Sequence, residues 1–167
     1  MNILAVDSAN ANLSITLKQK SNVTSKLYDS DSHISEILLI SIDEIFKNSQ
    51  IKPKELSCIL FNKGPASFTG TRVAASVLQA IGYSKNIPVH GISSLQVMAF
   101  KFFKQNSIGD FDCIKYAYGN MCFITSFQTE NGYDTDNQIR LIALEELEIS
   151  ESRYALLDKS SHDYMLK

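Results

Sequence analysis

Short apolar runs and alternating apolar and polar residues open the chain, and they predict three β-strands. Residues 3–6 form an apolar run, Ile-Leu-Ala-Val, which is typical of a buried strand. Leu13, Ile15 and Leu17 alternate with polar residues and indicate a half-buried second strand, with a turn at residues 10–12 between the two. Residues 23–28 give a weaker third strand. The pattern therefore predicts a hairpin that is extended by one more strand.

Helical spacing then alternates with further short apolar runs. Ser32 or its neighbour can cap a first helix, and Val73, Val77 and Ile81 are stacked at helical spacing in a second. The predicted elements are a helix over residues 32–48, a strand over 57–61, a helix over 69–84, a strand over 88–90 and a helix from residue 93 or 94 to 104.

The order of these elements indicates the fold class. Three antiparallel strands followed by helix, strand, helix, strand and helix are typical of a ribonuclease H-like α/β fold, which also forms each lobe of the actin-like ATPases (the ASKHA fold). Residues 1–107 therefore predict a complete N-terminal lobe. Residues 108–167 repeat the start of the same order and predict a shortened second lobe, with strands at 111–117, 121–127, 139–142 and 154–157.

The composition is that of a globular protein of 167 residues, with 44% hydrophobic and 20% charged residues. No apolar run approaches the roughly 20 residues of a membrane span, and the first ten residues lack the basic segment of a signal peptide. The net charge of −2 gives no general attraction to nucleic acid. Cys58, Cys113 and Cys122 lack metal-binding spacing, so we expect buried thiols in a cytoplasmic protein without membrane contact.

The segment KGPASFTGTR, residues 63–72, has the composition of a catalytic or phosphate-binding loop. A P-loop needs a lysine after its second glycine, but a Thr-Arg pair follows Gly70. A nucleophile elbow needs one residue between its serine and each glycine, but two residues separate Ser67 from either glycine. We therefore expect a turn into a helix. A ligand anion or nucleotide near this helix start stays open, close to Ser67, Thr69 and Gly70.

The two longest predicted helices offer more packing surface than one sheet requires. Apolar residues of the first helix spread over about 200° of its circumference, whereas one-sided burial needs about half of that arc. The second helix carries small residues that allow another backbone to approach closely. We therefore predict a protein interface, the alternative being that a second lobe covers both helices. Its predicted residues are His33, Glu36, Ile37, Leu39, Ile40, Phe46, Thr69, Arg72, Val73, Ser76 and Ala80.

Metal and nucleotide sites have only weak support in the sequence. His33 and Glu36 are three residues apart but have no third ligand in a recognisable pattern, so no metal site is predicted. An actin-like ATPase needs glycine in the loop after its first strand, and the loop after Asp7 has none. The corresponding loop near residues 116–119 has no carboxylate for a metal. The sequence therefore predicts the scaffold of these ATPases without a working ATP site.

Four segments together resemble one protein family. They are residues 3–8 (ILAVDS), 32–39 (SHISEILL), 62–72 (NKGPASFTGTR) and 89–95 (VHGISSL), and they are similar to the bacterial TsaB family, also called YeaZ, of tRNA threonylcarbamoyladenosine biosynthesis. The signature G-P-x-S-F-T-G-x-R followed by G-[IV]-S-S-L is highly specific. The resemblance covers residues 1–105 well and continues faintly to Leu157.

The resemblance implies a non-catalytic relative of the actin-like ATPases that dimerises with TsaD through its first two helices. TsaD is then the subunit that binds ATP and metal, and this chain needs no cofactor of its own. With the ATPase TsaE, such a complex transfers threonylcarbamoyl onto the adenosine beside the anticodon of ANN-decoding tRNAs, so contact with tRNA is indirect. The alternatives are a homodimer through the same helices and a small ATP-dependent kinase or hydrolase.

Three departures from the family pattern lie in the second lobe and the turn. Tyr116-Ala-Tyr118 stands where the family has D-A-R, and Ala66 stands at the third position of G-P-G-S. The chain also ends soon after Leu157, where the family continues. We therefore expect a reduced second lobe, with complex formation through the first.

Overall fold

The computed structural model describes residues 1–9, 12–29, 34–66, 68–106, 110–127, 138–148 and 154–157. The chain divides into two units, Met1–Ser93 and Ser94–Lys167. The predicted lobe boundary at residue 107 and the observed one lie at opposite ends of the helix Ser94–Asn106. The structure groups this helix with the second unit because its apolar side packs on that unit's strands.

Five strands of the first unit form one mixed sheet. They are β1 (Asn2–Asp7), β2 (Leu13–Gln19), β3 (Asn22–Tyr28), β4 (Cys58–Asn62) and β5 (Val89–Ile92), in the order β3-β2-β1-β4-β5. β1 is antiparallel to β2 and parallel to β4, and β4 is parallel to β5. The predicted hairpin, the added third strand and the ribonuclease H-like order are therefore confirmed.

Two helices cover one face of this sheet. They are α1 (Ile34–Ser49) and α2 (Phe68–Lys85), and a short 3-10 turn, Pro53–Glu55, lies between α1 and β4. Since β3, β4 and β5 all run parallel to β1, the two crossover helices run in one direction with neighbouring first turns. Alternate strand residues point into a core shared with both helices, which includes Leu4, Val6, Leu13, Ile15, Leu17, Leu38, Ile42, Ile45, Ala74 and Leu78.

The second unit repeats the strand order of the first. Its strands are β6 (Phe111–Tyr116), β7 (Met121–Phe127), β8 (Arg140–Ala143) and β9 (Tyr154–Leu157), in the order β8-β7-β6-β9. β6 is antiparallel to β7 and parallel to β9, as β1 is to β2 and β4. The prediction of a second lobe of the same type is therefore confirmed. In the first unit, the helix α1 joins β3 to β4. At the corresponding place in the second unit, between β8 and β9, the described residues contain the 3-10 turn Leu144–Glu146.

The helix α3 (Ser94–Asn106) packs its apolar side on β6 and β7. Leu95 and Ala99 are fully buried against Phe111 and Phe127, whose rings are stacked with their centroids 5.4 Å apart. Aromatic pairs of this kind add stabilisation beyond the apolar area that they bury. These contacts give the second unit a core of its own.

The three cysteines are free thiols. Cys113 and Cys122 are buried, as expected, and Cys58 is half-buried. Burial raises the pKa of the Cys113 thiol to about 12, because the thiolate would lose its hydration. Cys113 is therefore an inert core residue. Among the described helices, none is long and apolar enough to cross a bilayer.

Candidate protein interface and strand-end turn

One side of α1 faces away from the core and carries two large apolar side chains. Leu39 and Ile40 are 55% and 61% exposed, whereas Ile45 on the opposite side is fully buried. Glu36 and Asp43 are also exposed and lie at helical spacing beside them. Because the core does not use Leu39 and Ile40, their apolar area is available to another protein.

The exposed side of α2 begins with an aromatic residue. Phe68 is exposed, and the guanidinium carbon of Arg72, one helical turn later, lies 3.5 Å from the centroid of its ring. Cation–π stacking of this kind limits the freedom of both side chains before any partner arrives. Aromatic residues, including Phe, and arginine are enriched at protein interfaces relative to the rest of the surface.

The exposed sides of α1 and α2 lie next to each other. Both helices pack on the same core, and a Cβ atom placed on Gly70 would lie 3.0 Å from Ile34 Cδ1, which measures how closely their first turns approach. Their outward sides therefore form one continuous surface. We call it the helix surface, and it consists of Glu36, Leu39, Ile40, Phe68, Thr69, Arg72, Ser76, Ala80 and Tyr83.

Four residues predicted for the interface lie elsewhere or are not described. Phe46 is 6% exposed and belongs to the core, so its prediction as an interface residue is wrong: it lies on the side of α1 that meets the sheet. Ile37 and Val73 are half-buried and pack against the same core. His33 lies outside the described residues. Phe68 and Tyr83 were missed, although an i, i+4 Phe-Arg pair in the sequence could have indicated the first.

The small residues of α2 serve this chain rather than a partner. Gly70, Ala74 and Gly82 are all buried. A Cβ atom on Gly82 would overlap Val89 Cγ2 of β5, so this glycine allows α2 to approach its own sheet. The expectation that small residues admit another backbone therefore applies only to Ser76 and Ala80, which are exposed.

A hydrogen-bond network joins the carboxyl ends of β1 and β4. The Ala9 N–H donates to Asp7 Oδ1 at 2.9 Å, and Asn62 Nδ2 donates to Asp7 Oδ2 at 3.1 Å. Asn62 Oδ1 accepts the Gly64 N–H at 2.9 Å, where Gly64 has a φ of 91°, in the left-handed region that favours glycine. Both oxygens of Asp7 are thus bound within the chain. The sequence analysis did not predict a structural role for Asn62, although a polar residue at the end of an apolar strand could have indicated one.

The first turn of α2 lies directly against the end of β1. Ser8 Oγ donates to the Gly70 carbonyl at 3.0 Å, and a Cβ atom on Gly70 would lie 2.5 Å from the Ser8 carbonyl oxygen. The partial negative charge of that oxygen disfavours an anion on this side of the helix start. Thr69 is exposed, and Ser67 lies outside the described residues. The anion site at Ser67, Thr69 and Gly70 stays a prediction.

Metal ligands are not assembled in the described parts of the chain. No three His, Cys, Asp or Glu side chains among them are close enough to hold a metal ion. The pair of His33 and Glu36 lies partly outside those residues. At the loop of the second unit that corresponds to the Asp7 loop, the Tyr116 hydroxyl donates to the Gly119 carbonyl at 3.2 Å.

Replacing Asn62 with alanine is expected to destabilise the first unit by about 1–3 kcal/mol. The substitution leaves the buried Gly64 N–H without its acceptor and removes a donor from Asp7, and unmade buried hydrogen bonds cost this much. The measurement is the urea midpoint of unfolding at constant m-value. The control is Asn22→Ala on the exposed part of β3, which should stay within about 0.5 kcal/mol of the unmodified chain. Equal midpoints for the two variants would contradict a structural role for the network.

Comparison with known proteins places the chain in a family. Residues 28–159 match the family model described as TsaD, tRNA N6-adenosine threonylcarbamoyltransferase. The tRNA threonylcarbamoyladenosine biosynthesis protein TsaB of Buchnera aphidicola from Schizaphis graminum is 30% identical over 103 residues, which are 62% of this chain and 49% of that protein. TsaB of Bacillus subtilis is 31% identical over 101 residues, 59% of this chain and 44% of that protein.

A solved structure is similar in fold. It is an uncharacterised protein from Pseudomonas aeruginosa with similarity to peptidase YeaZ, with a TM-score of 0.78 at 17% identity, covering 92% of this chain and 73% of that one. The aligned segment spans about half the length of the curated relatives that the chain matches. The similarity in sequence is thus concentrated in part of those proteins, whereas the similarity in fold extends over both units.

Proposed function

Because the chain belongs to the TsaD family and is similar to the TsaB (YeaZ) proteins, we propose that it is a non-catalytic scaffold subunit that activates TsaD. It dimerises with TsaD through the helix surface. The complex modifies the adenosine beside the anticodon of ANN-decoding tRNAs to threonylcarbamoyladenosine. This role is a step in the biosynthesis for which the relatives are named.

The observation that carries this proposal is that the helix surface exposes large apolar side chains together with an aromatic–arginine stack. Leu39 and Ile40 are more than half exposed on α1, and the Phe68–Arg72 stack lies on the neighbouring helix α2. An apolar centre with aromatic and arginine anchors and a charged rim is the usual composition of a specific protein interface. Asp43 and Lys47 form an ion pair, with the Asp43 oxygen and the Lys47 nitrogen 2.6 Å apart, and they would supply part of that rim.

The engaged carboxylate of Asp7 supports a non-catalytic role. In open α/β sheets, ligands bind beyond the carboxyl ends of the parallel strands, and Asp7 lies at such an end. Its two oxygens each accept a hydrogen bond within the chain, from the Ala9 N–H and from Asn62 Nδ2, so Asp7 already has a structural role that holds this loop against β4. The loop after Asp7 also lacks the glycine that would let the backbone approach a phosphate. Ser8 instead ties this loop to α2 through Gly70.

The cofactors and further partners follow from this role. TsaD supplies the ATP and metal site, and the scaffold subunit needs no cofactor of its own. TsaE joins through the complex, and tRNA is contacted indirectly, which agrees with a net charge of −2. Such a reaction takes place in the cytoplasm, where tRNA is modified.

Reconstitution of tRNA modification tests the proposal. Purified TsaD and TsaE are incubated with a threonylcarbamoyl donor, an ANN-decoding tRNA, ATP and Mg²⁺, with and without this chain. We expect modified adenosine, measured by mass spectrometry of the digested tRNA, to require the chain. The matched control replaces it with the Leu39→Glu variant, which should not restore activity. Equal product with and without the chain would refute an activating role.

The alternative function is a small ATP-dependent kinase or hydrolase on this fold. The position of Asp7 at the carboxyl end of β1 favours it, since ATPases of this fold class place an aspartate there. Calorimetry of the isolated chain with ATP and Mg²⁺ distinguishes the two functions. The scaffold role predicts no saturable binding and no turnover. Micromolar binding with turnover would replace the scaffold proposal with the enzymatic one.

A further inference from the structure

The outer edge of the first sheet is a regular strand. β3 is the first strand in the order β3-β2-β1-β4-β5, and its residues Asn22–Tyr28 pair with β2 alone among the described strands. Edge strands present backbone N–H and C=O groups that can pair with another strand. An edge of seven residues spans about 23 Å.

The register of the hairpin identifies which backbone groups point outward. The Lys20 N–H donates to the Met1 carbonyl at 3.4 Å, so Lys20 directs its backbone groups toward β1. Because these directions alternate along a strand, Gln19 directs its groups toward β3, where it is paired with Asn22. Thr24 and Lys26 then face β2 in the same way. It follows that the backbone groups of Val23, Ser25 and Leu27 point away from the sheet.

The side chains of these outward residues share one face of the sheet and are largely apolar. Val23 and Leu27 are 56% and 68% exposed and lie two residues on either side of Ser25. The one charged residue of β3 is Lys26, whose side chain lies on the opposite face and binds Glu44 Oε2 of α1 at 2.9 Å. Natural edge strands commonly carry a charge that prevents pairing, and here that charge is engaged by α1.

We propose that two copies of this chain pair edge to edge through β3. The strands run antiparallel about a two-fold axis at Ser25, so that Val23 of one copy lies opposite Leu27 of the other. Val23, Ser25 and Leu27 then each exchange two backbone hydrogen bonds with their counterparts. The two sheets become one continuous sheet of both copies.

The occupant is a second copy because the edge is self-complementary. A two-fold interface requires the same surface on both partners. With the axis at Ser25, the exposed apolar residues Val23 and Leu27 of one copy face Leu27 and Val23 of the other. The one charged residue of β3, Lys26, is paired with Glu44 within the chain, so the strand carries no charge that would favour an oppositely charged partner. A single strand pair buries less than the roughly 1,200 Å² of a standard interface, so the dimer is weak and forms in proportion to concentration.

The pairing does not rest on the proposed function. It uses the edge of the sheet and leaves the helix surface of each copy exposed, because α1 and α2 direct Leu39 and Arg72 away from the core. Each copy in the dimer can therefore still bind another protein. A homodimer through the helix surface is the competing arrangement, and the two are separated by variants.

Sedimentation velocity over a concentration series tests the proposal with charge variants. The unmodified chain should shift from the mass of one chain toward that of two as its concentration rises to near millimolar. Leu27→Lys alone and Val23→Glu alone should each weaken the self-association by about tenfold or more, because a charge then faces an apolar residue. Mixing the two variants should restore the dimer, since Lys at 27 of one copy lies opposite Glu at 23 of the other.

The mixed sample also guards against misfolding, because two unfolded variants would not regain a dimer on mixing. Leu39→Glu is the control on the helix surface and should leave the mass distribution unchanged. A chain that stays monomeric throughout, a dimer that Leu27→Lys does not affect, or a mixture that fails to recover would overturn the proposal. A dimer lost through Leu39→Glu instead would assign self-association to the helix surface.

Discussion

Leu39→Glu is expected to abolish the stable complex with TsaD while leaving the fold intact. Leu39 is already 55% exposed, so its replacement costs the free chain little. At the centre of an interface, the new carboxylate would lose its hydration without gaining a partner, and an unpaired buried charge costs several kcal/mol. A loss of about 3 kcal/mol corresponds to more than a hundredfold weaker binding. Co-purification and calorimetric titration with TsaD measure it.

The matched control is Leu27→Glu on β3. Leu27 is 68% exposed, somewhat more than Leu39, and receives the same charge, but it lies on the edge of the sheet and not on the helix surface. Binding to TsaD should be unchanged in this variant. If the Leu39→Glu chain forms a complex as stable as that of the unmodified chain, then the helix surface is not the site at which TsaD binds.

Gly70→Val is expected to lower the free energy of unfolding by about 3 kcal/mol or more. A Cβ atom at this position would lie 2.5 Å from the Ser8 carbonyl oxygen, which belongs to the backbone and cannot rotate away. The added side chain would also crowd Ile34 Cδ1, which would have to shift. Overpacking of this kind costs about 1–3 kcal/mol in cores and more where backbone must move. The urea midpoint of unfolding measures the loss.

Ser76→Val on the exposed side of the same helix is its control. It adds the same side chain to α2 without a neighbour to displace, so only the lower helix propensity of valine, a few tenths of a kcal/mol, should be lost. Similar midpoints for the two variants would show that α2 does not lie against the end of β1. A folded Gly70→Val chain with weakened TsaD binding would link the close approach of α2 to the geometry of the helix surface.

The local pattern of apolar and polar residues was sufficient to predict the strands and helices and their order along the chain. Alternation in residues 13–17 and the apolar run at 3–6 predicted β2 and β1, and the structure pairs them as an antiparallel hairpin. Each of these segments carries its signal within a few residues, because a half-buried strand alternates and a buried strand forms a short apolar run. The parallel pairing of β9 with β6 follows from the repeated strand order, which the sequence also carries.

The sequence predicted which helices carry the helix surface, but it did not predict which of their residues are exposed on it. Periodicity shows that α1 has more apolar residues than one face needs, yet it does not say which of them meet the sheet. Phe46 and Leu39 are both large and apolar, and the structure buries the first and exposes the second. The difference depends on the rotation of α1 about its axis, which is set by all its contacts with β2, β3 and α2 together.

The sequence by itself determined the strand and helix order, the ribonuclease H-like fold, the loss of a recognisable phosphate loop and the resemblance to TsaB. These depend on spacing, turn residues and motifs that lie close together along the chain. Only the tertiary structure decided that Asn62 binds Asp7, that Gly70 fits against Ser8 and that α1 exposes Leu39 and buries Phe46. The first two contacts join residues 55 and 62 positions apart. The first depends on the pairing of β4 with β1, and the second depends on the packing of α2 against the end of β1. Long-range contacts of this kind have no local signal in the sequence, because the same residue types satisfy many other arrangements.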